Sequence, residues 1–365
     1  VIPDVLDAIS ADDPPEFENR ERHSLTVEDA PKYGVRPDDP RDLMFFWGAQ
    51  MYNHRDVVQS SVEFCPEDYG MYPLIKAYHD YYRILDSAGQ PYDRNPDPTA
   101  MEQANVYTYR TREFMLGAVQ QYRYGKAAYQ QQVWKASLGG KAVVYTTHPG
   151  SPNLAGRPNY WIGDGVLPKG MAYRNIFVGL YHIRPDLAYH PQYPKLFTHA
   201  YFPQGHFEDV VERGNWTLGR RSDAYVGLYS LMPTHWQRDD PETRLPSEWF
   251  ADCVRPEVAD HYDLVARGHN NVWICELGSA RTCGSFEEFV DGLVDSEVSG
   301  DAWGMEYASP SCGRVQFGWN DPFVVNGAPI SLADYPRFEN AYCRSAFGDR
   351  KLELRHPTGD LVLGW

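Results

Sequence analysis

The densest run of side chains able to do chemistry is Arg157-Pro158-Asn159-Tyr160-Trp161-Ile162-Gly163-Asp164-Gly165. Glycine lets backbone approach a ligand closely. Trp161 can stack under a sugar ring, Arg157 and Asn159 can hold a carboxylate, and Asp164 can accept from hydroxyls. The same residues also read as a tight turn with a packed tryptophan and a turn-capping aspartate. Proton-transfer groups lie on either side. His148 sits at a strand-to-loop exit, between Thr147 and Pro149-Gly150. His199-Ala200-Tyr201 puts an imidazole and a phenol on one face of an extended segment, because alternate residues share a face. Tyr160 and Tyr201 are the phenols able to return a proton. Gln130, Gln131, Gln132 and Trp134 can line a polar groove, and Arg221 can contact substrate. A histidine equally serves as a hydrogen-bonded structural group, and Arg220-Arg221-Ser222-Asp223 equally reads as an ion-paired turn.

These residues fall in a segment charged against the rest of the chain. Tyr107 to Arg174 carries nine basic and two acidic side chains, a net +7, within a chain of formal net charge −16. Tyr107, Tyr109, Tyr122, Tyr124, Tyr129, Trp134, Tyr145, Tyr160, Trp161 and Tyr173 are interleaved with the cations. Cations among rings on an acidic body suit a flat, polar, anionic ligand. The alternative is a set of strands that favour tyrosine and carry solvated basic faces. The acidic remainder argues against nucleic acid as a partner, since a phosphate backbone would meet it.

At 365 residues, 42% hydrophobic and 23% charged, the chain has the composition of a soluble globular protein. No apolar run approaches the roughly 20 residues that cross a bilayer, so no membrane partner is expected. Val1 to Ser10 has no basic start and no clear cleavage site, so it does not read as a signal peptide; the compartment stays unassigned. Six widely spaced cysteines form no CxxC pair and read as free thiols, with one or two bridges left open. Zinc spacings, phosphate loops, dinucleotide fingerprints and nucleophile elbows are missing from the sequence. No cofactor is called for, although a structural or charge-neutralising divalent cation stays open.

The elements that must position the candidates follow from periodicity. Residues 1–40 are acidic and proline-bearing and read as an extended arm or linker. Asp42 to Phe64 and Tyr72 to Leu85 show helical spacing. From about Tyr107 short β runs take over: Lys141 to Thr147, Ile176 to Ile183, Ala224 to Leu231, Val272 to Leu277, Val315 to Trp319 and Phe323 to Asn326. Asn326-Gly327 signals a hairpin, and Lys351 to Arg355 with Leu361 to Leu363 reads as a last one. Helices are expected over His206 to Arg213 and over Phe286 to Val298, the latter opened by a capping box of Ser285 and Glu288. The fold expected is mainly β: a large antiparallel sandwich over 101–365, preceded by an acidic arm and short helical region over 1–100.

Trp161 through Gly165 resembles the Gly-Trp-Tyr-x-Gly-Asp-Gly stretch of hyaluronate and chondroitin AC type polysaccharide lyases. More broadly, 105–365 looks like the β supersandwich of heparinase II/III-like proteins. Tyr160 stands where that motif has glycine, and Ile162 where it has tyrosine. The helical region is also too short for the family's toroid. The resemblance implies eliminative cleavage of a uronate-containing glycan. Such chemistry needs a group to neutralise the carboxylate, a base to take the adjacent proton and an acid for the leaving oxygen. Arg157 and Asn159, then His148 or His199, then Tyr160 or Tyr201 are the candidates from local chemistry. A non-catalytic glycan-binding sandwich and a glycoside hydrolase with paired carboxylates, drawn from Asp164, Glu208, Asp209 and Asp223, are the alternatives. A homodimer or an associated helical domain is a further expectation.

Overall fold

The computed structural model describes residues 16–23, 76, 103–126, 128, 131–150, 159–162, 165–183, 195–237, 262–355 and 359–364, with backbone alone at Asn159 and Ile162. The helices expected over Asp42 to Phe64 and Tyr72 to Leu85 lie outside these residues, apart from Lys76, which is helical.

The chain is mainly β, and its described strands form three antiparallel sheets. The largest has twelve strands, in the spatial order β12 (Thr234–Gln237), β13 (Asp263–Arg267), β8 (Phe197–Tyr201), β5 (Val143–Thr147), β4 (Trp134–Ser137), β3 (Met115–Gln120), β2 (Ala104–Thr111), β1 (Glu16–His23), β20 (Phe338–Glu339), β21 (Cys343–Ser345), β22 (Lys351–Leu354) and β23 (Leu361–Gly364). A six-stranded sheet runs β6 (Lys169–Tyr173), β7 (Ile176–His182), β14 (Asn270–Ser279), β11 (Ala224–Ser230), β10 (Trp216–Arg221) and β9 (Asp209–Arg213). A five-stranded sheet runs β15 (Val298–Gly300), β16 (Gly304–Ser309), β17 (Gly313–Gly318), β18 (Val324–Val325) and β19 (Ala328–Pro329).

Two cores share the six-stranded sheet as their middle layer. Phe177, Tyr181, Val226, Leu228, Trp273 and Leu277 point to the large sheet and meet Tyr107, Leu116, Trp134, Val144, Ala200 and Leu264. Their neighbours Ile176, Val178, Leu180, Tyr225 and Ile274 point the other way, to Met305, Tyr307, Val315, Phe317 and Phe323 of the small sheet. Strand side chains alternate between faces, so a strand buried on both faces must be apolar throughout. That is why β7 and β11 carry no polar alternation and are buried at every position. Each large side chain so buried contributes roughly 1.5–3 kcal/mol. Gly170 and Gly179 are register partners in β6 and β7. A Cβ on either would come within 2.9 Å of the Phe177 ring, so glycine there lets Phe177 lie flat and stack on Trp134 at 4.5 Å.

Short helices complete the fold: α1 (Asn159–Ile162), α2 (Ala280–Cys283) and α3 (Phe286–Val294). α3 begins with the expected capping box, Ser285 accepting from the Glu288 amide while the Glu288 carboxylate accepts from the Ser285 amide. Phe289, Val290 and Leu293 seal it onto the second core. The Asn326-Gly327 hairpin is present, with φ of 51° and 80°, the left-handed pair that a two-residue turn requires. The terminal hairpin is β22–β23.

Two expectations are corrected. The helix expected over His206 to Arg213 is a 3-10 turn at Gln204–His206 followed by β9, paired along β10. Val210 and Val211 are β-branched, and the open edge of β10 takes them as a strand. The acidic arm is not wholly a linker, since β1 is paired along its full length with β2. Among the described residues Cys275, Cys283, Cys312 and Cys343 are free thiols; Cys65 and Cys253 lie outside them. No described helix is long and apolar enough to cross a membrane.

Candidate functional site

The outer face of the large sheet carries a polar cluster near its β12 end. In β8 the residues Thr198 and Ala200 face inward, so His199 and Tyr201 share the outer face. Register places Val265 of β13 opposite His199 and Asp263 opposite Tyr201. On the other side Tyr145 of β5 lies opposite Tyr201, and Gln237 of β12 lies opposite Asp263. Helix α1 lays Tyr160 and Trp161 over this face.

The buried part of the cluster is a closed hydrogen-bonded loop. The Tyr160 hydroxyl donates to Asp263 Oδ2 at 2.5 Å and accepts from Gln237 Nε2 at 3.0 Å. Asp263 Oδ1 is 2.9 Å from His199 Nδ1, and His199 Nε2 is 3.0 Å from the Tyr160 carbonyl oxygen. A carbonyl only accepts, so Nε2 donates to it, and the contact between Nδ1 and the carboxylate closes the loop. His199, Tyr160 and Asp263 are all within 1% of full burial. Burial, reinforced by the Asp263 charge, pushes the Tyr160 phenol far above its ordinary range, so it remains a hydrogen-bond donor.

The outer part is aromatic. Trp161, half-buried, stacks on the His199 ring at 4.3 Å and 14°. Tyr145 and Tyr201 stack on each other at 5.3 Å and 15°, and Trp161 meets both edge-on. Burial raises both phenols, while a hydrogen bond from Gln132 works the other way on Tyr145. The Lys135 ammonium lies 5.8 Å from the Tyr145 ring centre. The result is a ring-lined polar surface with one ammonium and several hydrogen-bonding groups.

No family model, curated protein sequence or solved structure matches the chain. The site is therefore read from its own geometry.

Of the residues singled out by sequence, Tyr160, Trp161, His199, Tyr201 and Gln132 converge. Asn159 is placed in α1 by its backbone, while Arg157 and Asp164 lie outside the described residues. Three others are placed elsewhere. Trp134 is 2% exposed, faces the first core and donates its indole hydrogen to Thr146; it is a core residue and not a sugar contact. His148 is fully enclosed, its Nδ1 accepting from the Val166 amide and its Nε2 donating to the Lys195 carbonyl. Burial drives it down to about 3, so it is a neutral structural ring and not a base in the cluster. Gly165 is glycine for this contact, because a Cβ there would lie 1.8 Å from the His148 carbonyl oxygen. Arg221 is exposed at the end of β10, in the six-stranded sheet. Glu208 and Asp209 both grip Arg220 at the same edge, and Asp223 follows in the β10–β11 turn, so these carboxylates belong to another layer.

The basic segment is also dispersed. Arg174 pairs with Glu16 at 2.7 Å, Arg110 lies over Phe17, Arg123 is buried, and Lys169 is bound to backbone carbonyls. The +7 run is therefore no continuous trough. Sequence reasoning missed Asp263, Tyr262 and Gln237, and counted Tyr145 and Lys135 only as members of the basic, ring-rich segment. The signal for Asp263 was a carboxylate opening the apolar run Leu264-Val265-Ala266.

A separate cavity of about 450 Å³ opens between the layers, lined by Glu16, Tyr109, Arg174, Asn175, Glu276 and Phe289 among others. Glu276 accepts from Tyr307, from Ser309 and from the Ser311 amide, and burial raises its carboxyl. Among the described residues no group of three or more His, Cys, Asp or Glu side chains is arranged to hold a metal.

Proposed function

We propose that the face around Trp161 is a saccharide site and that the protein is a carbohydrate-active enzyme, a polysaccharide lyase cleaving a uronate-containing glycan by β-elimination. The observation that carries this reading is Asp263 fixing His199 directly beneath Trp161 and beside Tyr201. A carboxylate on Nδ1 orients an imidazole so that Nε2 faces its reactant, the arrangement of an oriented general base. Here Nε2 donates to the Tyr160 carbonyl, so the reading requires α1 to shift and Nε2 to release that hydrogen to solvent, leaving a free lone pair, when substrate enters. His199 then takes the proton next to the sugar carboxylate, and that carboxylate lies against Lys135 and Gln132, with Arg157 assigned from sequence. Tyr201, kept protonated by burial, donates to the leaving oxygen. Trp161 stacks on the ring.

The test is incubation with a panel of uronate polysaccharides, read by the ultraviolet absorbance of unsaturated ends. Activity abolished in His199→Ala and Tyr201→Phe, with folding intact, supports the assignment. No absorbance across the panel, with reducing ends nevertheless released, turns the reading to a hydrolase.

A second reading, a non-catalytic glycan-binding sandwich, is favoured by the complete burial of His199 and the engagement of both its ring nitrogens. Binding of a uronate glycan without turnover, weakened by Trp161→Ala and not by Tyr201→Phe, supports it.

A further inference from the structure

An edge strand leaves a row of unpaired amide and carbonyl groups, and natural sheets blunt it with charge, proline, brevity or cover. Among the described residues the three sheets end in β12, β23, β6, β9, β15 and β19. β9 carries Asp209, Glu212 and Arg213. β19 is a two-residue strand ending in Pro329, and β15 has three residues. β6 is buried at every position but Tyr173. β12 is tied to β9 by Trp236, whose indole hydrogen goes to Glu212 Oε1 at 2.6 Å. β23 differs from all of these. Leu361-Val362-Leu363-Gly364 holds no charge and no proline, and it is exposed at every position. β22 pairs with one side of it, and no described strand takes the other.

The same hairpin is apolar on one face. Register sets Leu352 opposite Leu363 and Leu354 opposite Leu361, and alternation puts all four leucines on one side. Leu361 and Leu363 are 53% and 43% exposed, and Val362, on the other side, is 56% exposed. None of these side chains joins either core. Open apolar side chains in a row on an unblunted edge mark an interaction site.

The occupant that fits is a second copy of the strand. The chain carries −16, so two copies repel over most of their surfaces. Residues 343–364 hold four basic and three acidic side chains, a net +1, so two copies can approach there without that repulsion. Across a two-fold axis normal to the sheet, a strand meets its own copy antiparallel. An axis at Val362 sets Leu361 against Leu363 of the second copy, and Leu363 against its Leu361. It is the one centre that opposes both leucines to leucines, and cross-strand apolar pairs are what stabilise such a ladder.

We infer that the protein forms a two-fold dimer by antiparallel pairing of β23 with β23 of a second copy, centred on Val362, so that the twelve-stranded sheet continues across the axis. A short ladder with two leucine pairs is smaller than a standard interface, so the dissociation constant is on the order of micromolar. The contact lies at the end of the sheet opposite β12. The face around Trp161 stays open in each copy.

The test is sedimentation of the full chain between about 1 and 100 µM, beside the double variant Leu361→Lys with Leu363→Lys. A concentration-dependent dimer is expected in the parent, weakened about ten-fold or more in the double variant, because lysine on an edge blocks pairing. Both positions are exposed, so the unfolding midpoint should match the parent's. Register is read by oxidation and a non-reducing gel, with the parent as background. In Val362→Cys the new thiol opposes itself at the roughly 5 Å Cα spacing of an antiparallel pair, within disulfide range, and a covalent dimer should form. In Leu361→Cys the two thiols are diagonal, with Cβ atoms about 7–8 Å apart, and little should form. If the lysine variant's midpoint falls, the two smaller cysteine substitutions decide. A parent that stays monomeric to about 100 µM overturns the proposal. So does a dimer of undiminished affinity in the folded lysine variant, or cross-linking of Leu361→Cys as complete as that of Val362→Cys. Growth beyond the dimer overturns it as well, since a two-fold contact is closed. Sugar cleavage plays no part in these readouts, so a failed glycan panel leaves them untouched.

Discussion

Removing the carboxylate of Asp263 would leave a buried imidazole and a buried phenol facing the same gap. Tyr160 donates a hydrogen to that carboxylate, and His199 Nδ1 faces it at 2.9 Å. Breaking a buried, hydrogen-bonded pair from one side costs about 3 kcal/mol or more. Asp263→Ala is therefore expected to lower denaturant stability by that amount, and a loss below about 1 kcal/mol would mean the loop is not a unit. His148 carries a pH dependence. Its folded value falls from 6.5 to about 3 because burial penalises the cation. The unfolded chain binds this proton more readily, so the stability His148 contributes is present above about 6.5 and is lost as pH falls toward about 3. Glu276, raised by burial, acts in the opposite direction above its ordinary value. The His148 contribution is isolated by comparing the parent with His148→Asn: the variant's urea midpoint should fall less steeply between pH 6.5 and 4. Parallel slopes would show that the ring is not held neutral. At this scale the sequence identified the right kinds of residue but not their duties. His148 and His199 look alike in the chain, and only their neighbours separate a structural ring from a candidate base.

At the scale of elements, what local chemistry decides was legible and what an edge decides was not. The α3 capping box needs only Ser285 and Glu288, three positions apart, and it was readable as such. Ser285→Ala should cost about 1 kcal/mol, measured by thermal or denaturant unfolding; an unchanged midpoint would mean α3 is held by its apolar face alone. The Asn326-Gly327 turn was readable for the same reason, since few residue pairs tolerate two positive φ angles. β9 was not. Asp209-Val210-Val211-Glu212-Arg213 is short and charged at both ends, and it is a strand because β10 offers an unpaired edge. β1 likewise takes its place from β2, whose partner positions lie more than 80 residues away in sequence.

At the scale of the whole molecule, the middle sheet ties the two cores together. Leu228 faces the first core and Ile274 the second. Leu228→Ala and Ile274→Ala should each cost about 2–5 kcal/mol and shift one common transition. Two separable transitions would show that the cores unfold independently. From the sequence alone came the β class, the antiparallel hairpins and the shared face of His199 and Tyr201, because these depend on side-chain period and turn chemistry over a few residues. The tertiary structure alone decided that Trp134 is core, that Lys169 and Arg174 are spent on carbonyls and Glu16, and that Asp263 lies under Tyr160. Those contacts join residues far apart in the chain, and sheet register, which no local pattern encodes, sets which of them meet.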